Sequence, residues 1–484
     1  MVRVSNIKSM TLASLFGLAI GTFTLSLSSY PAKLSIILVF GILFMALIVL
    51  TGFSRYFILF SLIMSLILFL DYHIINLEKT APVHGLTVSI LDIFLVFLIL
   101  RKMLFPDRNH LIDRVNNGLS SQSKLLAVIL LATFTLSFMD SNDSSLTLFG
   151  LIQYVKMVAL FFFIANDLNT EFDFSFISWS LTCALALLNI FCMAQFLTKI
   201  NFTISFQVIT MPSWYQGDFS PVGPAGSPNV TAGQIITLLP FCLSVLLRNK
   251  NLTFRAFALV TGLSSIICLV LTQSRAAWGV FVLIFGVFLW LVCWKKLMKV
   301  RYALLILFIF AIIGGVFFVE SLDKMSTNDI SDPQNLIARL TLMKTSFQMI
   351  QAHPFIGVGL NNYSEVMMEY VPLFLSGEWL YLVHNKYILI WSETGTMGLI
   401  IYLLFLISIY RNVITYIRNQ REEHSMIGIS VFCSLMAFNL HMIFESYSGG
   451  AITFQFWLIC GLAVALGGYT VKEHHSLTSS RGIS

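Results

Sequence analysis

Two arginines and a histidine carry the polar chemistry of an otherwise apolar chain. They are Arg275 in Thr272-Gln273-Ser274-Arg275, Arg339, and His384 in His384-Asn385-Lys386-Tyr387. A guanidinium is planar and permanently charged, and it grips a phosphate through two parallel hydrogen bonds. Arg275 and Arg339 are therefore candidate anion clamps. Histidine titrates near neutral pH and can take a proton from a hydroxyl, which makes His384 a candidate general base. Each residue also has a structural reading. Arg275 can snorkel at a membrane interface, Arg339 can pair with Glu320, Asp323 or Glu378, and His384 can simply open a helix.

Further ionisable groups accompany them. His441 and Glu445 are one helical turn apart near the end of an apolar run, where such groups are costly unless paired. They read either as a structural hydrogen-bonded pair or as support for the site, and Glu393 has the same two readings. Asn385 can cap a helix or orient His384. Gly357-Val358-Gly359 lacks the GxxxxGK[ST] pattern of a phosphate loop, so a sharp turn is the preferred reading. His384 with Glu393 is not a HExxH motif, and the other histidines have no metal-ligand spacing. No metal and no cofactor is expected.

The elements that must position these residues are membrane spans. The chain has 484 residues, of which 57% are hydrophobic and 11% charged, with mean hydropathy +0.85. Soluble domains carry about 25% charged residues. A bilayer demands a backbone whose polar groups are satisfied internally, and helices supply this. The apolar runs are near-continuous over roughly 20 residues, unlike the short alternating segments of a β-barrel. The expected fold is an all-α, polytopic membrane protein, a single integral membrane domain over 1–484. The net charge of +6 does not point to nucleic acid, because most Lys and Arg lie in short loops that set topology. Cys183, Cys192, Cys242, Cys268, Cys293, Cys433 and Cys460 all fall in apolar runs and read as small core residues.

Spans are expected near residues 10–29, 34–52, 56–71, 87–105, 124–139, 146–165, 175–198, 229–247, 256–273, 276–294, 302–319, 385–410, 427–446 and 451–470, about fourteen in all. No cleavage site is convincing before Pro31, so the first run is read as a retained span. Cationic clusters around Arg55, Arg101–Arg114, Arg248–Arg255, Lys295–Arg301 and Arg411–Arg421 fall in alternate loops. The positive-inside rule then makes both termini cytoplasmic. The acidic loop at 166–174 breaks the rule locally. Two larger segments, 199–228 and 320–384, are extracytoplasmic. The second is too long for a plain connector and should carry structure of its own. Within it, Leu336, Leu340, Met343, Phe347 and Ile350 mark an amphipathic helix that stops at His353-Pro354. Such a helix can lie on the membrane surface. Arg339 falls at the edge of its apolar face, turned toward the protein body.

Four separated stretches carry a family resemblance. They are Ser227-Pro228-Asn229, Thr272-Gln273-Ser274-Arg275, Arg339 through His353-Pro354 to Gly357-Val358-Gly359, and His384-Asn385 with Glu393 and Gly395-Thr396-Met397-Gly398. Over residues 227–410 the chain resembles the O-antigen ligase/polymerase (WaaL/Wzy) family. The resemblance implies a GT-C-like glycosyltransferase with an undecaprenyl-diphosphate-linked oligosaccharide as donor. It implies Arg275 and Arg339 on the diphosphate, His384 as base for the acceptor hydroxyl, and Asn229 and Asn385 at the substrate. The family makes cell-surface polysaccharide: O-antigen, capsule, exopolysaccharide or teichuronic-type wall polymer. The number of spans leans toward a polymerase that extends a lipid-linked repeat unit. A ligase acting on another acceptor such as lipid A-core is the alternative, and a flippase or transporter of lipid-linked sugars is a second. Partners implied are membrane lipid and the flippase and chain-length regulator of the same pathway.

The topology has a direct test. A cysteine placed at Ser326 reacts with an impermeant thiol reagent in intact cells or spheroplasts. Reaction only after permeabilisation would put the 320–384 segment, and the site with it, on the wrong side.

Overall fold

A computed structural model describes residues 55–67, 71–76, 85–104, 118–202, 219–302, 333–371, 382–420, 422–447 and 450–480. The chain divides into two units, Met1–Leu59 with Val96–Asp107, and Phe60–Leu95 with Arg108–Ser484. In the first, the described residues are helical, from the start of α1 (Arg55–Ser65) and the second half of α2 (Ile90–Leu104). All candidate site residues belong to the second.

Nine helices among the described residues are long and apolar enough to cross a bilayer. They are α3 (Gly118–Leu136), α4 (Ser144–Asp167), α5 (Glu171–Thr198), α6 (Pro228–Arg248), α7 (Leu252–Leu271), α8 (Arg275–Trp294), α11 (Lys386–Asn419), α12 (Glu422–His441) and α13 (Ala451–Ser480). The chain is a multi-pass, helical membrane protein. The expected spans at 10–29, 34–52 and 302–319 lie outside the described residues. So do most of the central parts of the two large loops.

The runs at 56–71 and 87–105 contain α1 and α2, of 11 and 15 residues among the described ones. Between them an antiparallel ribbon pairs β1 (Asp71–Asn76) with β2 (Gly85–Ser89), with Tyr72 opposite Val88 and His73 opposite Thr87. Its sequence, Asp71-Tyr72-His73-Ile74-Ile75-Asn76, mixes polar and β-branched residues, a composition that favours a pleated strand over an apolar helix. The ribbon is a departure from an all-helical chain.

The bundle is stitched by small polar residues, as expected where helices meet in an apolar solvent. Asn189 donates to the Thr261 carbonyl and to Ser264 and Ser265 at 2.8–3.0 Å. Pro240 interrupts α6, and Ser430 and Ser434 of α12 donate to the Pro240 and Thr237 carbonyls there. Asn412 of α11 reaches Ser123 of α3 at 2.9 Å.

The cationic loops meet at one end of this bundle. Lys295 donates to the Gln420 carbonyl at 3.0 Å, and Arg248 pairs with Glu171 at 2.8 Å. The acidic loop at 166–174 is absorbed there. Asp173 accepts from the Asn169 and Thr170 amides in a capping box that starts α5, and Glu171 meets both Arg248 and His424. Helix caps and ion pairs thus explain the local break in the charge rule. Since the helices alternate in direction, α4, α6, α8, α11 and α13 all begin at the opposite end.

At that opposite end, α9 (Pro333–Ala352) is the helix expected before His353-Pro354. Its packed residues are Ala338, Leu342, Thr345, Ser346, Met349 and Ile350. Of the expected apolar face Ile350 is thus packed, Leu340 and Met343 are exposed, and Phe347, also exposed, meets Trp391 edge-on at 6.3 Å. Ser346 bonds to Tyr363 at 2.8 Å in α10 (Tyr363–Val366). The chain after α9 clasps α11 where that helix breaks at Gly395 (φ 65°, ψ −174°). The Val358 and Gly359 amides donate to the Ser392 and Glu393 carbonyls at 2.9 and 3.1 Å, and the Thr396 amide donates to the Pro354 carbonyl at 2.9 Å. Gly357 has φ 78°, and a Cβ there would press into the Glu393 carbonyl carbon and the Thr394 and Gly395 amides.

Gly357→Ala should therefore lower the stability of the purified protein by at least about 2 kcal/mol, combining a left-handed backbone penalty with overpacking. Gly279→Ala, with nothing within 4 Å of its Cβ position, should leave the thermal midpoint unchanged or raise it. A scan of intrinsic fluorescence in detergent compares the two, and equal midpoints would show that the clasp does not hold the fold.

Candidate active site

The start of α6 is fixed by the end of α5. Gln195 donates to the Gly223 carbonyl and accepts from the Gly223 amide, and Thr231 donates back to the Val222 carbonyl at 2.7 Å. Pro228 occupies the first turn, where a missing N–H costs nothing, and Asn229 follows it. The start of α11 is fixed separately. Asn385 is its N-cap, its side chain accepting from the Tyr387 and Ile388 amides at 3.0 and 3.1 Å. The Lys386 amide donates to the carbonyls of Met442 and Glu445 at 2.9 and 3.1 Å. That bond draws the turn after α12 against His384.

Five side chains are linked as a result. Asn229 donates its amide to Glu445 Oε1 at 2.5 Å. The other oxygen, Oε2, lies 3.6 Å from His384 Nδ1. This Nδ1 is shielded from solvent and has no hydrogen bond, so the carboxylate is the polar group it faces. The Tyr447 hydroxyl bonds the Asn229 carbonyl at 2.8 Å and His441 Nδ1 at 3.1 Å. Burial, and then the Glu445 charge, hold the Tyr447 phenol well above its usual pKa, so it stays protonated and donates to the Asn229 carbonyl. His441 then presents Nδ1–H to the Tyr447 oxygen, a tautomer assigned from this network, and its Nε2 is buried without a partner. Gly233 permits the approach, since a Cβ there would lie 2.8 Å from the Tyr447 hydroxyl.

The other candidates occupy different positions. His441 ends α12, so His441 and Glu445 do not stack as a helical pair; each takes a partner of its own. Glu393 sits in the clasp, where its carboxylate accepts from the Asn361 and Tyr363 amides. Arg275 is the first residue of α8, exposed, after a turn in which Gln273 takes φ 56° and Trp278 donates to the Leu269 carbonyl at 2.8 Å. Its place at the positive end of a helix disfavours a cation and favours an anion beside it. Arg339 is exposed rather than turned into the protein, and it makes no hydrogen bond or ion pair with another described residue. It lies at the border between the packed face of α9 and the exposed apolar row, a face set by Leu342 and Met349 that the spacing did not single out. His353 is 3.5 Å from Asp140, at the end of α9.

Sequence reasoning missed two members of this region, Tyr447 and Lys386. Lys386 is buried at the first position of α11. Its position beside His384-Asn385, and that of Tyr447 two residues after Glu445, were the available signals.

Residues 258–403 match the family model described as O-antigen ligase, in support of the relationship expected from the motifs. The match spans Arg275, Arg339, His384 and Glu393; Asn229 and Glu445 lie outside it. No curated protein matches the chain.

Tyr447→Phe removes one hydroxyl and two hydrogen bonds, leaving His441 Nδ1 unpartnered in a buried site. The expected cost is about 1–3 kcal/mol, read as a lowered thermal midpoint in detergent. An unchanged midpoint would mean that the hydroxyl does not hold Asn229 and His441 together.

Proposed function

We propose, from the O-antigen ligase segment carried over residues 258–403 and from the geometry at His384, that the protein is a metal-independent glycosyltransferase, a polymerase of cell-surface polysaccharide. It transfers an undecaprenyl-diphosphate-linked glycan to a lipid-linked repeat unit at the extracytoplasmic face. The observation that carries this reading is the Asn229–Glu445–His384 series. With Nδ1 facing Glu445, His384 offers Nε2 to the acceptor hydroxyl. Glu445, fixed by Asn229, balances the imidazolium as the proton arrives. The 3.6 Å separation suits a resting site that tightens around substrate.

The acceptor oxygen bonds to the anomeric carbon as the bond from that carbon to the diphosphate oxygen breaks. The proton passes to His384, and undecaprenyl diphosphate leaves with its charge. Arg275 and Arg339 receive that charge, aided by the positive helix ends gathered here. Asn385 contributes by holding the start of α11 in place.

Transfer to a different acceptor, as in a ligase, uses the same chemistry and the same residues. The product separates the two. A deletion strain of a polymerase accumulates a single lipid-linked repeat, and that of a ligase accumulates full-length chains on undecaprenyl diphosphate. A flippase would instead show no glycan transfer in detergent, where no sealed membrane exists.

His384→Ala should lose roughly 100- to 10,000-fold in transfer rate, with slight recovery on added imidazole or at higher pH, and His353→Ala should be milder. Arg275→Ala and Arg339→Ala should abolish most polymer at normal protein levels, and Lys should rescue poorly because a point charge cannot copy the fork. Chelators should leave the wild type active. An active His384→Ala protein, full activity in either lysine variant, or wild-type loss in EDTA would overturn the corresponding assignment.

A further inference from the structure

At the end of the bundle opposite His384, a cavity of about 370 Å³ opens between the start of α5, the end of α6 and the start of α7. Ser175 and Trp179 of α5, Ser244 and Arg248 of α6, Lys250 of the connection and Phe254 of α7 are among the residues that line it. Asn229 and Arg248 stand at the two ends of the 21-residue α6, about 30 Å apart at the helical rise. The cavity is therefore separate from the candidate active site.

Its polar half is incomplete. Ser244 is 1% exposed, yet its hydroxyl makes no hydrogen bond with a described residue. The nearest helical acceptor, the Pro240 carbonyl one turn back, already receives Ser430 at 2.9 Å. The hydroxyl has no partner among the described residues and is not wholly enclosed, so it opens onto the cavity it lines with a donor to give. The Trp179 indole N–H is likewise without a partner among the described residues. Arg248 is held in place by Glu171 at 2.8 Å and Ser175 at 3.3 Å, and a guanidinium has five N–H donors to distribute. Lys250 is exposed and has no ion pair with a described carboxylate. It leaves the cavity with an unneutralised positive charge.

The other half is apolar. Trp179 meets Phe254 edge-on at 4.7 Å. Beside the mouth, Phe172, Leu247 and Leu252 are exposed large hydrophobics. Cations, hydroxyl and indole donors beside an open apolar lip, at the level where spans end, match a molecule with a phosphate at one end and acyl chains at the other. Free phosphate would use only the polar half and fill little of the volume. We propose that this cavity binds the headgroup of an anionic phospholipid from the leaflet opposite His384, with its phosphate at Ser244, Arg248 and Lys250 and its chains along Trp179 and Phe254.

The test uses the delipidated full-length protein and native mass spectrometry, with dioleoylphosphatidylglycerol and dioleoylphosphatidylcholine as probes and inorganic phosphate and glycerol phosphate as competitors. Phosphatidylglycerol should bind at least about 10-fold more tightly than phosphatidylcholine, in line with about 1 kcal/mol per basic residue near a charged lipid surface. Millimolar phosphate or glycerol phosphate should not displace it. Lys250→Gln should reduce the preference, and Ser244→Val, which replaces the hydroxyl donor with methyl groups, should reduce it as well. Arg248 is left intact because it anchors Glu171, and wild-type thermal midpoints in both variants show that the fold persists. Equal binding of the two lipids, an unchanged preference in both variants, or displacement by free phosphate would overturn the proposal. Glycan transfer is not the readout, so this outcome and that of the proposed function are decided separately.

Discussion

The clasp between the Pro354–Gly359 segment and the broken turn of α11 is the constraint on which the rest of the site depends. A helix in a bilayer has few free backbone groups, because nothing apolar can satisfy them. The break at Gly395 frees carbonyls at Ser392 and Glu393, and the amides of Val358 and Gly359 take them up. One interruption thus creates both the defect and its repair. Because the repair comes from the chain that follows α9, the surface helix carrying Arg339 is tied to the same span that opens at His384.

The candidate site is assembled from stretches far apart in the chain. Asn229 and Glu445 are separated by 216 residues, and their contact is made where the start of α6 meets the turn after α12. The Lys386 amide, reaching the carbonyls of Met442 and Glu445, locks the turn after α12 to the start of α11. Glu445 therefore acquires its position from backbone bonding, with an amide at one carboxylate oxygen and an imidazole facing the other. The same economy applies to Tyr447, whose hydroxyl serves a carbonyl of α6 and a histidine of α12 together.

Much of this was legible in the residues themselves. Long apolar runs declared helices, since nothing else satisfies a backbone in lipid, and proline after His353 marked where α9 ends. Arg275, Arg339 and His384 stood out by being polar in the wrong surroundings. Pairings were not legible. Spacing suggested that His441 and Glu445 share a helical face, but the helix stops at His441 and the two diverge. The β1–β2 ribbon escaped notice because its strands are short and lie against ends of apolar runs. Glu393 looked like a candidate for chemistry, and its partners prove to be the backbone amides of Asn361 and Tyr363, which no local pattern announces. The packed face of α9 was foreseen only in part, at Ile350, for a related reason. Periodicity reveals that a helix has an apolar side, but in a membrane protein that side is as well placed toward lipid as toward the core.

Leu340 and Met343 are exposed, Phe347 meets Trp391 of α11 edge-on, and Ala338, Leu342 and Met349 hold α9 to the protein. Arg339 lies on the seam between the two rows. The clasp fixes the C-terminal end of α9, and the packed row of Ala338, Leu342 and Met349 carries that hold back along the helix to the turn that bears Arg339.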